Sequence, residues 1–246
     1  MSASLEKNSA PQRVSCRVAG LKQFNTGIMQ VMLQPVSPAA LRFHAGQYIN
    51  IVLEEHKFRP FSLANAPRSD NLIELHIRHK AGGRVAKWLQ SDLDENARIL
   101  IEGPYGDFFI HESSRPIIMI AGGIGFAPIK ALIEHTINEQ IDRTIYLYWG
   151  ARNREGLYLE SLAQRWERRY QNIHFIPVLS EEAAGEEARH GLVHEAVLED
   201  FPSLKGVEVY VCGPVGLIQA VQQSFSKHGL EENAIFSDMF AFIDNT

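Results

Sequence analysis

The pattern of apolar and polar positions divides the chain into two parts with different rhythms. From Arg13 to about Ile110, short apolar runs are separated by turn residues. The segment IELHIRH (73–79) alternates strictly, which predicts a half-buried antiparallel strand. One helix is expected around Arg84–Asp92. The repeated short runs predict a small antiparallel barrel or sandwich; they are VSCRVAGL, GIMQVMLQP, QYINIVLEE, LIELHIRH and ARILIEGPYG.

After His111 the rhythm changes to alternating strands and helices. This order predicts a parallel sheet with helices on both faces. The polar segment HESSRP (111–116) joins the two parts. We therefore expect a terminus of 1–12 that is extended or disordered, a β-barrel domain of 13–112 and an α/β domain of 113–246. The predicted strands are PIIMIAGG, TIYLYWG, NIHFIPVLS and VEVYVCG, and the predicted helices are APIKALIEHTINEQ, LYLESLAQRWERRY, GLVHEAVLEDF and PVGLIQAVQQSFSKHG, the last of which ends at a glycine stop signal.

Composition and charge exclude several classes of protein. Apolar residues make up 45% of the chain and charged residues 22%, which is typical of a globular protein. The net charge of −5 argues against nucleic acid as a main partner. No apolar run approaches the roughly 20 residues that span a bilayer, and the polar N-terminal segment lacks the core of a signal peptide. With only Cys16 and Cys212, we expect neither a disulfide framework nor an iron–sulfur cluster. We expect a cytoplasmic protein.

The segment AGGIGFAP (121–128) has the composition of a phosphate-binding turn. It follows a buried strand and opens a helix, so Gly122, Gly123 and Gly125 leave backbone N–H groups near the positive helix terminus. Pro128 suits a first helical turn. The third glycine of the usual dinucleotide fingerprint is absent. A tight strand-to-helix turn without a ligand remains the alternative.

The segment VYVCGP (209–214) repeats this arrangement later in the chain. Cys212, Gly213 and Pro214 follow a buried strand and open a helix. Ligands of parallel sheets lie at the carboxyl ends of the strands, so Cys212 would lie beside a cofactor. The alternative is that Cys212 is a small buried apolar residue.

The segment RPFS (59–62) combines a permanent cation, a rigid residue, an aromatic ring and a hydroxyl. Arg59 suits a phosphate or a polarised carbonyl. Pro60 restricts the backbone, and Phe61 and Ser62 point to opposite faces if the segment is extended. Ser62 could bond a heteroaromatic nitrogen. An ordinary strand end with a surface ion pair is the alternative.

No metal site is predicted. His76 and His79 face apart on a strand because they are three residues apart. His190 and His194 have helical spacing, but the segment HGLVH lacks the glutamate of the H-E-x-x-H motif.

Taken together, these motifs resemble the ferredoxin–NADP reductase superfamily. The similarity runs from about residue 13 to the C-terminus and is greatest to bacterial NAD(P)H:flavin oxidoreductases, including those that supply reduced flavin to luciferase. Each motif alone is weak, and their order makes the resemblance specific. The motifs are AGQY (45–48), RPFS, EGPYGDF (102–108), AGGIGFAP, YWGAR (148–152), VYVCGP and FSDMFAF (236–242).

The resemblance implies a flavin-binding antiparallel Greek-key barrel followed by a parallel α/β domain that binds NADH or NADPH. It implies that FMN, FAD or riboflavin is a substrate or a loosely bound cofactor. Ser62, near the flavin N5, Cys212, near the nicotinamide, and Asp238 are the implied catalytic residues. The implied cofactor-binding residues are Tyr48, Arg59, Pro60, Phe61, Ser62, Leu63, Ala64, Gly122, Gly123, Gly125, Pro128, Cys212, Gly213, Pro214 and Phe240, of which Phe240 would cover the flavin ring.

One departure from the family pattern concerns flavin retention. Members that hold FAD carry a G-x-x-S-like turn, and GGRVAKWL (82–89) places Ala86 at the hydroxyl position. We therefore expect a reductase that takes flavin as a diffusing substrate, with a flavin-dependent monooxygenase as a possible consumer. The alternatives are an FAD-containing reductase subunit that passes electrons to an oxygenase or another protein, and a flavin- or nucleotide-binding module without turnover. Arg152 and Arg154 could meet a 2′-phosphate or be solvated arginines.

Overall fold

The computed structural model describes residues 10–25, 27–36, 41–54, 57–79, 97–181 and 188–237. The chain divides into two compact units, 1–109 and 110–246. Three parts of the sequence prediction lie outside the described residues: the helix at 84–92, Ala86, and the C-terminal pair Asp238 and Phe240.

The first unit contains an antiparallel sheet of six strands within its described part. Their order is β4-β3-β6-β1-β2-β5, so β6 is inserted between β1 and β3 as in a Greek key. A bridge between Leu63 and Leu75 joins the two end strands and closes the barrel. The strands are β1 (Gln12–Asn25), β2 (Ile28–Pro35), β3 (Tyr48–Glu54), β4 (Lys57–Ser62), β5 (Ile73–Arg78) and β6 (Arg98–Tyr105).

Alternating apolar residues of these strands fill the barrel. Their side chains point to one face because successive residues of a strand face opposite sides. The predicted antiparallel barrel is confirmed. The core residues of the unit include Val14, Cys16, Val18, Val31, Leu33, Ile49, Ile51, Leu63, Ile73, Leu75, Ile77, Ile99 and Ile101.

The prediction that the 73–79 strand is half-buried is wrong at two positions. Glu74 and His76 are only 5% and 4% exposed, although they lie on the face opposite the barrel core. His76 Nε2 lies 2.9 Å from Glu74 Oε1, which also accepts a hydrogen bond from Gln30 at 2.6 Å. The ring of Phe24 packs edge-on against His76. This polar cluster satisfies the buried groups, so both faces of the strand are covered.

Strand β4, which contains RPFS, was not among the predicted strands. Lys57, Arg59 and Pro60 give it a poor strand composition. It forms because it pairs with β3 over its whole length. Its position at the end of the strand order tolerates a proline, which cannot donate a hydrogen bond.

The second unit contains a parallel sheet in the order β10-β9-β8-β7-β11-β12, with helices between the strands. The four predicted strands and four predicted helices are confirmed, and the parallel α/β fold with them. The strands are β7 (Ile117–Gly122), β8 (Ile145–Ala151), β9 (Ile173–Leu179), β10 (Arg189–His190), β11 (Glu208–Cys212) and β12 (Ile235–Ser237), and the helices are α1 (Phe126–Asn138), α2 (Glu160–Arg169), α3 (Val193–Asp200) and α4 (Val215–Phe225).

Two details of this unit differ from or extend the prediction. Strands β10 and β12 have two and three residues, too few to show a periodic pattern. His190 lies in β10 and His194 in α3, so the two histidines do not share a helix.

After α4 a short 3₁₀ turn ends at Gly229, whose φ of 86° confirms the glycine stop signal. No helix in the described ranges has the length and apolarity that a membrane crossing requires.

Candidate functional site

The carboxyl edge of the second sheet has a topological switch point between β7 and β11. From β7 the chain moves outward through β8 and β9, and then returns to place β11 on the other side of β7. Cys212 pairs in register with Ala121, so the turns that follow both strands lie side by side. Parallel sheets bind their ligands in such a crevice. The structure thus brings the glycines of AGGIGFAP together with Cys212, Gly213 and Pro214.

The glycines at this edge are required by packing between the two turns. A Cβ atom on Gly125 would lie 2.2 Å from the Cys212 carbonyl oxygen, and one on Gly122 would lie 2.8 Å from Pro214. The motif AGGIGFAP predicts open space for a ligand at its glycines, whereas the neighbouring chain segment fills that space at Gly125. The two turns therefore support each other, and the candidate ligand surface is the backbone that they present together.

The two helices that begin at the switch point, α1 and α4, have features of an anion site. Neither α1 nor α4 has a side-chain cap or an acidic residue in its first turn. Helices α2 and α3, by contrast, carry Glu160 and Glu195 in their first turns. The partial positive charge of the α1 and α4 termini is therefore not countered by a side chain. A pyrophosphate of a nicotinamide nucleotide fits this donor set.

Trp149 holds the glycine turn in place, a role that the sequence analysis missed. Its indole Nε1 donates a hydrogen bond of 3.0 Å to the Gly123 carbonyl. Gly123 has a φ of 54°, a conformation that favours glycine. The Trp149 ring also stacks on Phe126 with centroids 3.7 Å apart. The segment YWGAR contained this signal, since a tryptophan at the end of a buried strand needs a partner for its N–H.

A carboxylate at Gly216 tests the anion site. Gly216 is in the first turn of α4, and a Cβ there meets no atom within 4 Å. We expect Gly216→Asp to weaken NADH binding about tenfold by repulsion, while the same carboxylate favours the helix itself. Gly216→Ala is the matched control and should bind NADH normally. The measurement is NADH binding by titration calorimetry at low and high salt, because salt should reduce the difference. Equal affinities of the two variants would contradict the site.

The second group of predicted residues lies on the barrel, on β3 and β4. Ser62 pairs with Tyr48, which pairs in turn with Tyr105 on β6. The rings of Tyr48 and Tyr105 lie 5.2 Å apart. A hydroxyl and two phenol rings therefore form one row across three neighbouring strands, which we call the Ser62 row. Phe61 lies opposite Ile49 and packs against the barrel core, so Phe61 and Ser62 face opposite sides as predicted.

Arg59 is half-buried on β4. It directly precedes Pro60 and lies two residues before Phe61, so it is on the same side of the strand as Phe61. Within the described ranges it has neither a hydrogen bond nor an ion pair to a side chain, in contrast to Arg13, which binds Glu102 at 2.7 Å. A half-buried cation that has no partner among the described residues fits a phosphate or a carbonyl oxygen of a flavin. The surface ion pair that the sequence left as an alternative is not found within the part of the chain that the structure describes.

The residues after Ser62 are held in the barrel wall. Leu63 and Ala64 are fully buried, so their side chains belong to the core. Ala64 donates a backbone hydrogen bond of 2.8 Å to the Glu74 carbonyl. Asn65, which is 1% exposed, accepts one from the Glu74 N–H at 2.7 Å and donates to the Leu72 carbonyl at 3.0 Å. This anchoring fixes the end of β4 against β5.

Tyr105 is a further candidate that the sequence analysis quoted within EGPYGDF but did not select. Its hydroxyl donates a hydrogen bond to Glu102. Burial, and then this bond, raise the pKa of Tyr105 to about 12, so the phenol stays neutral. The hydrogen bond from Tyr105, and then the one from Arg13, lower the pKa of Glu102. The Ser62 row thus ends in a neutral phenol, that of Tyr105, whose hydroxyl is bonded to the Glu102 carboxylate.

The remaining predicted residues are buried in the protein or paired with a carboxylate. Pro128 is in the first turn of α1, as predicted, but it is buried in the helix packing. Arg154 forms two hydrogen bonds with Glu160, at 2.9 and 2.8 Å, and Arg152 lies 3.4 Å from Glu181. Both arginines follow β8 at the carboxyl edge, and each has a carboxylate partner. Cys212 is 8% exposed, and neither it nor Cys16 is in a disulfide.

Comparison with known families matches both units. Residues 18–110 match the family model of the oxidoreductase FAD-binding domain, and residues 119–223 match that of the oxidoreductase NAD-binding domain. The barrel residues of the Ser62 row lie in the first match, and the glycine turns of the switch point lie in the second.

Three relatives illustrate the range of similar proteins. The chain is 39% identical over 232 residues to the protein RfbI of Salmonella typhimurium, covering 94% of this chain and 69% of that protein. It is 37% identical over 241 residues to the NAD(P)H-flavin reductase of Aliivibrio fischeri, covering 94% and 99%. It is 35% identical over 209 residues to a reductase component of terephthalate 1,2-dioxygenase from Comamonas, covering 84% and 62%.

Solved structures of reductases share the fold of this chain. The reductase GcoB from Amycolatopsis has a TM-score of 0.85 and 28% identity, covering 94% of this chain and 70% of that one. A ferredoxin–NADP⁺ reductase from Neisseria gonorrhoeae shares the fold with a TM-score of 0.78 at 17% identity, covering 92% and 98%. The resemblance drawn from the motifs is confirmed: the chain belongs to the ferredoxin–NADP reductase superfamily, as an oxidoreductase with a flavin-binding barrel and a nicotinamide-binding α/β domain.

Proposed function

We propose that the protein is an NAD(P)H:flavin oxidoreductase that transfers hydride from NADH or NADPH to FMN, FAD or riboflavin taken up as a diffusing substrate. The observation that carries the proposal is the half-buried Arg59, which is without an ion pair in the described part of the chain and lies on the same strand as Ser62. Because the two residues are three apart on an extended strand, they face opposite sides and act separately: Arg59 suits a phosphate or carbonyl oxygen of a flavin, and Ser62 suits its heteroaromatic nitrogen. The hydride chemistry is supplied by the flavin and the nicotinamide, and the protein binds and orients them.

The described residues have separate roles in this proposal. On the barrel, Arg59 binds the flavin periphery, Ser62 donates a hydrogen bond to its reactive edge, and Tyr48 provides an aromatic contact. In the α/β unit, the turns around Gly123 and Gly213 bind the nucleotide phosphates, and Cys212 lies beside the nicotinamide. Asp238 and Phe240 remain sequence-based proposals for the cover of the flavin ring. No proton transfer by a dedicated acid or base pair is required.

Two observations support a diffusing rather than a resident flavin. Ala86 replaces the hydroxyl that the family's FAD-holding members place in their pyrophosphate turn. The similarity to the Aliivibrio fischeri flavin reductase also extends over 99% of that protein.

The two cysteines of the chain are buried in different units. They cannot form an iron–sulfur relay, which needs about four ligands. Their unbridged state fits the cytoplasm, where we place the protein.

A resident-FAD reductase subunit is the second candidate. The similarity to the terephthalate 1,2-dioxygenase reductase component favours it. Such a subunit would pass electrons directly to an oxygenase, whereas the first candidate would release reduced flavin to a flavin-dependent monooxygenase. The two candidates differ in how tightly FAD is held.

Flavin retention distinguishes the two candidates. We expect protein purified without added flavin to be largely colourless, and its NADH oxidation to depend on added FMN, FAD or riboflavin. The dissociation constants of FMN and FAD should agree within about tenfold, because the ring and ribityl contacts are common to both. Ala86→Ser should tighten FAD binding more than riboflavin binding, by roughly 0.5–1.5 kcal/mol for one added hydrogen bond.

The measurements are flavin absorbance after gel filtration and steady-state oxidation of NADH and NADPH with each flavin. Stoichiometric FAD that survives gel filtration would favour the resident-FAD subunit. Absence of flavin-dependent oxidation of either nucleotide would reject the proposed activity.

A further inference from the structure

Gln47 is a buried polar residue at the point where three segments of the barrel meet. It is 2% exposed and lies directly before β3, which begins at Tyr48. A buried amide costs free energy unless its donor and acceptor groups are both bonded. Its hydrogen bonds therefore show what the residue holds together.

Gln47 bonds each of the three segments. Its backbone carbonyl accepts a hydrogen bond of 2.9 Å from the Leu63 N–H. Its side-chain Oε1 accepts one of 2.8 Å from the His44 N–H, and its Nε2 donates one of 2.9 Å to the Gly106 carbonyl. The amide thus acts as acceptor and donor at the same end of one side chain.

The partners of Gln47 are direct neighbours of the Ser62 row. Leu63 follows Ser62, and Gly106 follows Tyr105 and has a φ of 86°. Tyr48, which pairs with both Ser62 and Tyr105, is the residue after Gln47. A shift of the Gly106 turn would move Tyr105, and a shift of Leu63 would move Ser62. The amide therefore fixes the spacing of the whole row.

We propose that Gln47 is a positioning residue for the flavin site. It acts through Ser62, Tyr48 and Tyr105, and its own atoms lie in the barrel wall. The inference rests on the proposed flavin site and adds a residue to it. It predicts that loss of the Gly106 bond weakens flavin binding while nicotinamide binding, which belongs to the other unit, is unchanged.

Gln47→Glu tests this role through pH. The protonated acid has the same shape, donates its O–H to the Gly106 carbonyl and accepts from the His44 N–H. The carboxylate can only accept, so it loses the Gly106 bond. Burial raises the pKa of such an acid, which brings its titration toward neutral pH. We expect flavin affinity near the wild-type value at about pH 5.5 and about tenfold weaker at about pH 9.

Other titratable groups surround this position and require the wild type as a parallel reference. They are His44, whose pKa is lowered by burial, Tyr105, whose pKa is raised, Glu102, whose pKa is lowered, and the neighbouring Tyr48 and Asp107. Wild type and variant both contain these groups. The ratio of the two flavin dissociation constants at each pH therefore reports the effect of the substitution.

The experiment measures riboflavin binding by fluorescence quenching and NADH binding by calorimetry on the full chain across this pH range. Gln47→Met, which keeps the length of the side chain but forms neither bond, should weaken riboflavin binding equally at every pH, and it carries the test if Gln47→Glu does not fold. A ratio that stays at one, or riboflavin and NADH affinities that fall together, would overturn the inference. Binding is measured without turnover, so the test of Gln47 is separate from the test of the proposed activity. If that activity is wrong, the wild type will bind both ligands but will not oxidise NADH.

Discussion

Replacing Ser62 with alanine is expected to slow hydride transfer about 30- to 1000-fold, or roughly 2–4 kcal/mol of barrier, with a much smaller effect on flavin binding. The pairing of Ser62 with Tyr48 places the hydroxyl on the outer row of β4, away from the barrel core. A hydrogen bond to the reactive edge of the flavin strengthens as charge develops there. It therefore lowers the barrier more than it stabilises the bound substrate.

Single-turnover oxidation of NADH by the flavin-loaded protein measures this effect, and fluorescence titration gives flavin affinity separately. Ser62→Thr keeps the hydroxyl and should recover most of the rate. If the alanine variant transfers hydride at the wild-type rate, Ser62 has no catalytic role. If flavin affinity falls while the rate of the flavin-loaded protein is unchanged, Ser62 contributes only to binding.

Replacing Gly125 with valine is expected to destabilise the α/β unit by about 3 kcal/mol and to abolish NADH binding. A Cβ at this position lies 2.2 Å from the Cys212 carbonyl oxygen and 2.8 Å from the Gly213 nitrogen. Both are backbone atoms, so no side chain can rotate away. The turns after β7 and β11 would have to separate, and the crevice between them is the proposed nucleotide site.

Gly125→Ala and Gly216→Ala form a matched pair for this prediction. They make the same change at the same edge of the sheet, but the second adds its methyl group to open space. We expect Gly125→Ala to unfold at lower urea concentration than wild type, and Gly216→Ala to be neutral or slightly stabilising because alanine favours helix. Equal urea midpoints for the two alanine variants would show that the close approach at Gly125 is not rigid.

Local patterns predicted most of the fold. The alternating segment at β5 and the continuous apolar runs at β7 and β11 identified strands because a strand's side chains must match the faces that it buries. The glycine after α4 identified the helix end. Strand β4 escaped prediction because its lysine, arginine and proline contradict strand propensity, and only its pairing with β3 makes it a strand. Strands β10 and β12 are too short for any pattern.

The candidate site, like the fold, was predicted in part from the sequence and decided in part only by the tertiary structure. The sequence by itself determined which segments form the candidate site, because RPFS, AGGIGFAP and VYVCGP combine residue types that suit particular backbone and ligand contacts. Only the tertiary structure decided how they work together. It showed that Gly125 makes room for the Cys212 carbonyl, that Trp149 holds Gly123, and that Gln47 links His44, Leu63 and Gly106. These contacts join residues far apart in the chain, and a local pattern carries no information about which distant groups a fold brings within hydrogen-bonding distance.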